Sequence, residues 1–463
     1  MTADYETYLS PFTWRYGSQE IRRIWSETNK RRLWRKIWVA LAAVEAEYGL
    51  VTSSQLADLQ AHQDEVDLDQ ALEVEKEIQH DLMAELKIFA RQCPVGGRII
   101  HLGATSMDIE DNADTLRIRD SLDLILARVK SLLAAFANQI ERWADTPIIA
   151  FTHLQPAEPS TLGYRLAFSG QDLLKDFSLL KQLRVELRGK GFKGAVGTSA
   201  TFADLIPPGH LDDFEDRLGQ ILELAFFPVT HQTYPRKQEF WIVSALAGVG
   251  ATLSKYAFDL RILQSPPIGE WSEPFGKEQI GSSAMPFKRN PMRAEKIDSL
   301  ARSLAQMPRT AWDNAANSLL ERTLDDSANR RTILPETFLI VDELLTTSQI
   351  LVEGLKVDSK ALERNLTNYG SFAATEKIMV AAVKAGADRQ EMHAHLRDLS
   401  LQAWDAMRSG KENSLADLLI NDPVLRQYLD ADTIHKLLDP AGHVGLAGPR
   451  ARKLAAEIRK TLE

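Results

Sequence analysis

The feature that most constrains the fold is a stretch from Asp111 to Trp143 that contains neither proline nor glycine. Within it, apolar residues recur at steps of three and four, including Leu122, Val129 and Phe136. This spacing places the apolar side chains on one stripe of an α-helix, which would be roughly 50 Å long at about 1.5 Å per residue. The sequence therefore predicts an unusually long amphipathic helix at this position.

Four further stretches show the same helical periodicity, so we predict an all-α fold with a central elongated five-helix bundle. These stretches span residues 161–188, 237–263, 291–316 and 335–357. Shorter helical patterns lie before and after them, which predicts three helical domains. Their expected boundaries are 1–105 for the N-terminal domain, 106–357 for the bundle and 358–463 for the C-terminal domain.

One segment of the predicted bundle, residues 240–253, is apolar on every side. A helix of this kind must be buried on every side, whereas five helices of one chain would leave it partly exposed. We therefore expect the helical core to continue into other subunits of a homo-oligomer.

Composition excludes several classes of protein. The formal net charge is −9, which disfavours binding to nucleic acid or to an anionic membrane surface. No apolar run approaches the roughly 20 residues that span a bilayer, and no secretory signal is visible. The single cysteine, Cys93, cannot form an internal disulfide, which fits a reducing cytoplasm. No residue spacing indicates a metal, nicotinamide or ATP site, so no cofactor is expected.

The most informative segment is Gly281-Ser-Ser-Ala-Met-Pro-Phe-Lys-Arg-Asn-Pro291. Glycine and serines beside a proline indicate a mobile loop, and Asn290-Pro291 is typical of a helix start, with asparagine as the N-cap. Because Lys288 and Arg289 precede this helix start, the segment is suited to bind an anion. A solvated basic loop that only caps a helix is the simpler alternative.

Two other segments place polar residues between long helices. His153, in Thr-His-Leu-Gln-Pro, lies on a predicted loop between helices and could protonate a leaving amine near neutral pH. Thr105 and Ser106 lie where a loop meets the longest helix, a position that suits either helix capping or anion binding.

A third segment, Glu321-Arg-Thr-Leu-Asp-Asp-Ser-Ala-Asn-Arg-Arg331, carries several basic residues. Ser327 and Arg331 are four residues apart, so a helix would place them on one face. Together with Arg322 they form a plausible phosphate clamp, although a mixed-charge exposed turn is the alternative.

These motifs resemble those of the fumarase/aspartase superfamily, and most closely its adenylosuccinate lyase branch, from about residue 15 to about residue 440. The resemblance implies that Ser282 is the general base and His153 the general acid. It implies that Lys288 and Asn290 hold substrate carboxylates and that Glu295 orients the catalytic histidine.

The resemblance also implies a set of substrate-binding residues. Those expected to bind the succinyl part are Thr105 and Ser106. Those expected at the nucleotide, its phosphate or the catalytic histidine are Arg15, Tyr16, His80, Asp81, Arg322, Ser327 and Arg331, and Gln232 is expected to contact either a carboxylate or the ribose. Two positions depart from the branch: Lys296 replaces a frequent arginine, and Phe287 replaces a frequent histidine or tyrosine, which removes the polar group at residue 287.

The implied reaction is a cofactor-free β-elimination of fumarate from a succinyl purine nucleotide, either adenylosuccinate or SAICAR. The implied assembly is a homotetramer whose sites draw on three subunits. A sibling lyase that acts on argininosuccinate or aspartate remains an alternative, as does a nonenzymatic helical scaffold.

Overall fold

The structure, a computed structural model, describes residues 5–463 and is helical through most of that range. The first part of the chain forms five helices. Each is preceded by a residue whose side chain caps the N-terminus of the helix: Ser18, Ser26, Thr52, Asp67 and His80. The helices are α1 (Gln19–Ile24), α2 (Glu27–Glu47), α3 (Ser53–His62), α4 (Leu68–Ile78) and α5 (Asp81–Gln92). A 3₁₀ turn precedes them at Pro11–Thr13, and another follows at Gly97–Ile99.

Helices α4 and α5 are separated by a sharp break in the chain. Gln79 ends α4 in the left-handed conformation, with φ of 55°. His80 then caps α5, because its Nδ1 accepts a hydrogen bond from the backbone N–H of Met83 at 3.4 Å. The break places His80 and Asp81 at a helix start.

The middle of the chain contains the long helices. They and the shorter helices between them are α6 (Ser106–Arg142), α7 (Leu162–Glu186), α8 (Ala200–Leu205), α9 (Leu211–Leu222), α10 (Lys237–Leu263), α11 (Met292–Leu304), α12 (Met307–Ala316) and α13 (Ser327–Glu353). The predictions for α6, α7 and α10 are confirmed to within a few residues.

Two long-helix predictions were wrong in detail. The stretch 291–316 is two helices, and the second begins at Met307 with Pro308 in its first turn, where a missing N–H costs no hydrogen bond. The last helix of the set begins at Ser327, eight residues before the predicted start, so Pro335 lies inside it. The buried side chains of Leu334 and Phe338 pack this helix on either side of the proline and so stabilise it.

Short strands, which the periodicity did not predict, connect the helices. Strands β1 (Pro147–Thr152) and β2 (Gln155–Thr161) form an antiparallel hairpin, and β3 (Trp271–Ser272) pairs with β4 (Lys356–Val357). The hairpin register shifts between Ile149 and Phe151.

The C-terminal part is again helical. Its helices are α14 (Ser359–Lys384), α15 (Arg389–Arg408), α16 (Leu415–Asn421), α17 (Ala431–Leu437) and α18 (Ala447–Leu462), with 3₁₀ turns at Leu425–Gln427 and Pro440–His443. The all-α fold class is therefore confirmed.

The chain divides into two compact units. The first comprises the described residues up to Val129 together with Asp176–Ala251 and Leu300–Thr346. Its core contains Trp38, Phe89, Leu116 and Phe214. The second comprises Lys130–Lys175, Thr252–Ser299 and Thr347–Glu463, and one of its apolar clusters contains Ile378, Leu396, Leu419 and Ile434. The three-domain division at residues 105 and 357 stays a prediction.

Other expectations concern single residues and surfaces. Cys93 is buried, and burial raises the pKa of its thiol to about 12, which disfavours a reactive thiolate. Among the described residues, no helix is both long and apolar enough to cross a membrane. Within α10, most of the apolar segment is buried in the single chain, but Trp241 is 50% exposed.

Glu45 is a buried acid within the first unit's apolar core. It is 1% exposed, and burial raises the pKa of its carboxyl from 4.5 to about 8. Because the folded state then binds a proton that the unfolded state releases, stability should fall as the pH rises from about 4.5 to about 8. The expected loss approaches about 1.4 kcal/mol per pH unit.

We expect Glu45→Gln to flatten this dependence, because glutamine carries no titrating proton. Urea unfolding between pH 5 and pH 8 measures the slope, and Glu47→Gln, at an exposed position of the same helix, is the control. Equal slopes in Glu45→Gln and the wild-type protein would contradict this assignment.

Candidate active site

The loop from Gly281 to Pro291, called here the Ser282 loop, holds its first serine by hydrogen bonds from the backbone. Ser282 Oγ accepts the N–H groups of Ala284 and Met285 at 3.3 and 3.1 Å. Both donors would stabilise negative charge on this oxygen, which lowers the cost of forming an alkoxide. The geometry therefore suits a serine that accepts a proton.

The loop is closed by its own polar groups. Asn290 Nδ2 donates to the carbonyl of Gly281 at 2.9 Å, and the amide of Lys288 donates to Met285 at 3.0 Å. A Cβ on residue 281 would lie 2.2 Å from the carbonyl oxygen of Lys288, so this close approach requires glycine.

The expected helix start at Asn290-Pro291 is shifted by one residue. Helix α11 begins at Met292, and the carbonyl of Pro291 accepts the N–H of Glu295 at 2.9 Å. Asn290 is therefore not the N-cap, because its side-chain amide instead closes the Ser282 loop.

The charged residues around the loop are mostly exposed. Lys288 points outward, and the guanidinium of Arg289 lies 5.3 Å from the ring centre of Phe275. Glu295 Oε1 lies 3.9 Å from Nη2 of Arg261, a long salt bridge that leaves the carboxylate accessible. Lys296 is half-buried on the same helix.

His153 lies at the tip of the β1–β2 hairpin, so the expected loop between helices is in fact a tight turn. His153 and Leu154 both have positive φ, 53° and 59°, and the flanking Thr152 and Gln155 are paired. Two successive left-handed residues are typical of a two-residue hairpin turn. Outside such turns, residues other than glycine rarely adopt this conformation. The turn exposes the imidazole to solvent.

The hairpin and the Ser282 loop both belong to the second unit. In the part of the chain that the structure describes, no hydrogen bond or salt bridge joins His153 to the Ser282 loop. The contacts of one chain therefore leave the expected acid and the expected base unlinked.

In the first unit, Thr105 and Ser106 lie at the start of α6. The amide of Thr105 donates to Asp108 Oδ2 at 2.9 Å, so the carboxylate three residues ahead caps the helix backbone. Asp108 also forms a buried salt bridge with Lys190. Among the described residues, the hydroxyls of Thr105 and Ser106 form no hydrogen bond of their own, so neither caps the helix.

A cavity of the first unit, called here the tryptophan cavity because Trp25 and Trp34 line it, also contains Asp81, Ser327 and Arg331. The last two face the cavity together, as their spacing on a helix predicts. Arg331 Nη2 donates to Asp81 Oδ2 at 2.8 Å, which joins residues 250 positions apart.

Electrostatics in this cavity favour ionised partners. Burial raises the pKa of Asp81, but Arg331 and Lys30 outweigh it and hold that pKa below its usual value. Burial likewise opposes the charge on Arg331, yet Asp81 raises the pKa of its guanidinium. A guanidinium has five N–H donors, so Arg331 retains donors beyond the one given to Asp81.

Arg322 does not line the tryptophan cavity. Its Nη1 donates to Asp326 Oδ1 at 2.9 Å, and Asp326 in turn accepts Arg236 Nε at 2.8 Å. Arg236 is buried and also donates to Asp111 at 3.0 Å. Sequence reasoning missed Asp111, Arg236 and Asp326, because no local pattern showed that these charges are buried together.

Gln232 lies beside the Glu321–Arg331 segment. Its backbone N–H donates to the backbone carbonyl of Glu321 at 3.2 Å, and His231 Nδ1 lies 2.9 Å from the carbonyl oxygen of Leu320. His80 is exposed at the start of α5, next to Asp81.

The N-terminal residues Arg15 and Tyr16 do not line the tryptophan cavity. The guanidinium of Arg15 lies 5.9 Å from the ring centre of Tyr16. The adjoining backbone is anchored to α13, because the amide of Ser18 donates to Asp342 Oδ2 at 2.7 Å. Among the described residues, no group of three or more histidine, cysteine or acidic side chains could hold a metal ion.

Comparisons with known proteins define the class. A family model described as "Lyase" matches residues 11–305, so the protein is a lyase. A second model, "Adenylosuccinate lyase C-terminus", matches residues 371–453. The 3-carboxy-cis,cis-muconate lactonizing enzyme of Pseudomonas putida has a similar structure, with a TM-score of 0.87, 26% identity and coverage of 98% of this chain and 99% of that chain.

Sequence relatives specify the family. The adenylosuccinate lyase of Schistosoma mansoni is 41% identical over 96% of this chain and 93% of its own length. Those of Saccharomyces cerevisiae and Pyrococcus abyssi are 38% and 34% identical, over 97% and 98% of this chain and 94% and 98% of their own lengths. The chain belongs to the adenylosuccinate lyase family and is a carbon–nitrogen lyase, which confirms the resemblance and sets aside a nonenzymatic scaffold.

We expect Gly281→Ala to disrupt the Ser282 loop, because the new methyl group would collide with the Lys288 carbonyl. Hydrogen exchange of the amides of Ala284 and Met285 should quicken at least ~10-fold, which corresponds to roughly 1.4 kcal/mol. Gly276→Ala is the control, since its Cβ would meet only Gln279 at 3.6 Å. Equal exchange rates in the two variants would show that Gly281 is not required for the loop.

Proposed function

We propose that this protein eliminates fumarate from adenylosuccinate to give AMP, and from SAICAR to give AICAR, in purine nucleotide biosynthesis. The observation that carries the proposal is the identity of 41% to an adenylosuccinate lyase over nearly the whole chain. The chemistry of the Ser282 loop and of the tryptophan cavity supports it.

In the proposed reaction, Ser282 removes a proton from the carbon beside a substrate carboxylate. Its oxygen already accepts two backbone N–H groups, and Lys288 adds positive charge on the same loop. These groups act more strongly when water is excluded, so closure of the loop over substrate would favour the alkoxide. Lys288 and Asn290 would then bind the carboxylate on which the carbanion's charge accumulates.

His153 donates the other proton in this mechanism, to the purine-side nitrogen as the carbon–nitrogen bond breaks. An imidazole can carry this proton near neutral pH. Glu295 is proposed to orient the imidazole, and its accessible carboxylate is compatible with that role. Thr105 and Ser106 would bind the succinyl carboxylate with their hydroxyls at the N-terminus of α6.

The nucleotide phosphate is proposed to bind in the tryptophan cavity. Ser327 offers a hydroxyl there, and Arg331 is held in place by Asp81 while it keeps further N–H donors. Further nucleotide contacts are proposed for Arg15, Tyr16, His80 and Arg322. Gln232 is proposed to contact a carboxylate or the ribose, and Lys296 is proposed as a further substrate-binding residue.

We further propose a homotetramer in which each site combines residues of three subunits, in the cytoplasm. Large apolar side chains on the long helices support self-association: Phe168 on α7 is 57% exposed, and Phe258 on α10 is 52% exposed. The absence of a bond between His153 and the Ser282 loop in one chain is also compatible with shared sites.

Substitution of the proposed acid and base tests the mechanism. His153→Ala and Ser282→Ala should each lower kcat for fumarate release from adenylosuccinate by at least ~10²-fold, with an unchanged circular dichroism spectrum. Argininosuccinate and aspartate serve as control substrates and should yield no fumarate. Near-wild-type turnover in either variant would remove that residue from its role.

Subunit mixing tests the shared site. When the inactive His153→Ala and Ser282→Ala proteins exchange subunits, some hybrid sites should contain both intact residues and recover activity. Each variant mixed with itself is the control. If mass spectrometry demonstrates exchange and activity does not return, each site draws its acid and base from one chain.

A further inference from the structure

One carboxyl that lines the tryptophan cavity, that of Glu110, takes part in no ion pair within the described part of the chain. The four cations of the cavity are each paired with a carboxylate: Lys30 with Glu27 at 2.6 Å, Arg331 with Asp81 at 2.8 Å, Arg117 with Asp114, and Arg330 with Asp114 and with Glu239 at 2.6 Å. The side-chain carboxyl of Glu110, which also lines the cavity, makes no hydrogen bond or salt bridge with any other described residue.

The neighbours of Glu110 disfavour its ionised form. Asp111 and Asp114 of its own helix, α6, and Asp81 of α5 all lie close enough to repel a negative charge on Glu110. Burial is the largest effect, the three acids add to it, and Lys30 of α2 opposes them only in part, so the pKa of Glu110 is raised to about 8. Asp114 differs, because Arg117 and Arg330 outweigh burial and hold its pKa at about 2.

Protonation of Glu110 changes what the cavity can bind. With Glu110 neutral, the four lining cations are balanced by the carboxylates of Glu27, Asp81 and Asp114 and by Glu239, the second partner of Arg330. An ionised Glu110 would add an uncompensated negative charge and repel an anion. A neutral carboxylic acid also supplies an O–H donor, whereas a carboxylate supplies only acceptors.

We propose that Glu110 keeps its proton in the tryptophan cavity and donates it as a hydrogen bond to the phosphate dianion of the nucleotide. Ser327 and Arg331 are proposed to hold the same phosphate, and Glu110 is near enough to Arg331 to influence its charge. Glu110 is thus a specificity residue that selects a phosphorylated ligand without adding a negative charge. The inference rests on the proposed function, because it takes a nucleotide phosphate as the occupant.

Proton linkage gives the proposal a measurable signature. A phosphate monoester is already a dianion above about pH 7, since its second pKa is about 6. Above pH 8, Glu110 would release its proton in the empty cavity and would have to regain it when the phosphate binds. Affinity for AMP should therefore fall towards tenfold per pH unit above pH 8.

Calorimetric titration with AMP between pH 7 and pH 9.5 tests this. We expect the wild-type Kd to rise towards tenfold per unit above pH 8, and the Kd of Glu110→Gln to stay level, because glutamine keeps a donor and does not titrate. Glu110→Ala should bind AMP at least ~10-fold more weakly at pH 7. Adenosine, which lacks the phosphate, should show no such pH dependence with any variant.

Glu336→Gln is the matched control. Glu336 lies on α13, is half-buried with a pKa raised by burial, and does not line the cavity, so this variant should follow the wild-type curve. Infrared difference spectra at pH 7 give a second readout, since Glu110→Gln should lose the contribution of one protonated carboxyl without any ligand, while Glu45 keeps its own.

The outcomes separate the two proposals. Equal pH slopes in the wild-type protein and Glu110→Gln, or an unchanged carboxyl band, would overturn the role of Glu110 even if fumarate release is intact. AMP affinity with the expected slopes, but no fumarate release from either succinyl nucleotide, would overturn the proposed reaction and leave Glu110 as a phosphate contact. An active wild-type enzyme without measurable AMP affinity would overturn the role of Glu110.

Discussion

The buried salt bridges of Arg236 are the interaction on which the segment proposed to bind the nucleotide depends. Arg236, at the start of α10, bonds to Asp111 of α6 and to Asp326 just before α13. Asp326 then holds Arg322, so the segment proposed to bind phosphate is anchored to two long helices. Removal of one partner from a buried ion pair typically costs about 3–5 kcal/mol, because a buried charge is left uncompensated.

This anchoring explains how long helices can produce a precise site. Helices α6 and α13 carry Glu110, Asp114, Ser327 and Arg331 at fixed spacings, so one set of ion pairs aligns several binding groups. The same low-polarity surroundings that strengthen these ion pairs also raise the pKa of a carboxyl that has none, as at Glu110. Burial in this cavity thus has two results: it strengthens the ion pairs, and it keeps the unpaired carboxyl of Glu110 protonated.

The elimination side of the site is built differently. Ser282 lies on an exposed loop that only a few hydrogen bonds shape, and His153 lies on an exposed hairpin turn in an unfavoured backbone conformation. Exposed groups have weak electrostatic effects because water screens them. Their proposed roles in catalysis therefore require water to be excluded, by the proposed loop closure and the proposed neighbouring subunits, whereas the tryptophan cavity is formed within one chain.

The sequence by itself determined the long helices, because apolar spacing and the absence of proline and glycine are local properties. It also determined the motifs around residues 105, 153, 282 and 327, which are contiguous strings and which carried the family resemblance. Tertiary structure alone decided that His153 lies on a hairpin turn and that the helix predicted at 291–316 is broken. It also decided that Arg322 bonds to Asp326, and that Glu110 lacks a cation while Asp114 has two. Such outcomes depend on which charges distant segments bring together in a buried place, and no local spacing encodes that.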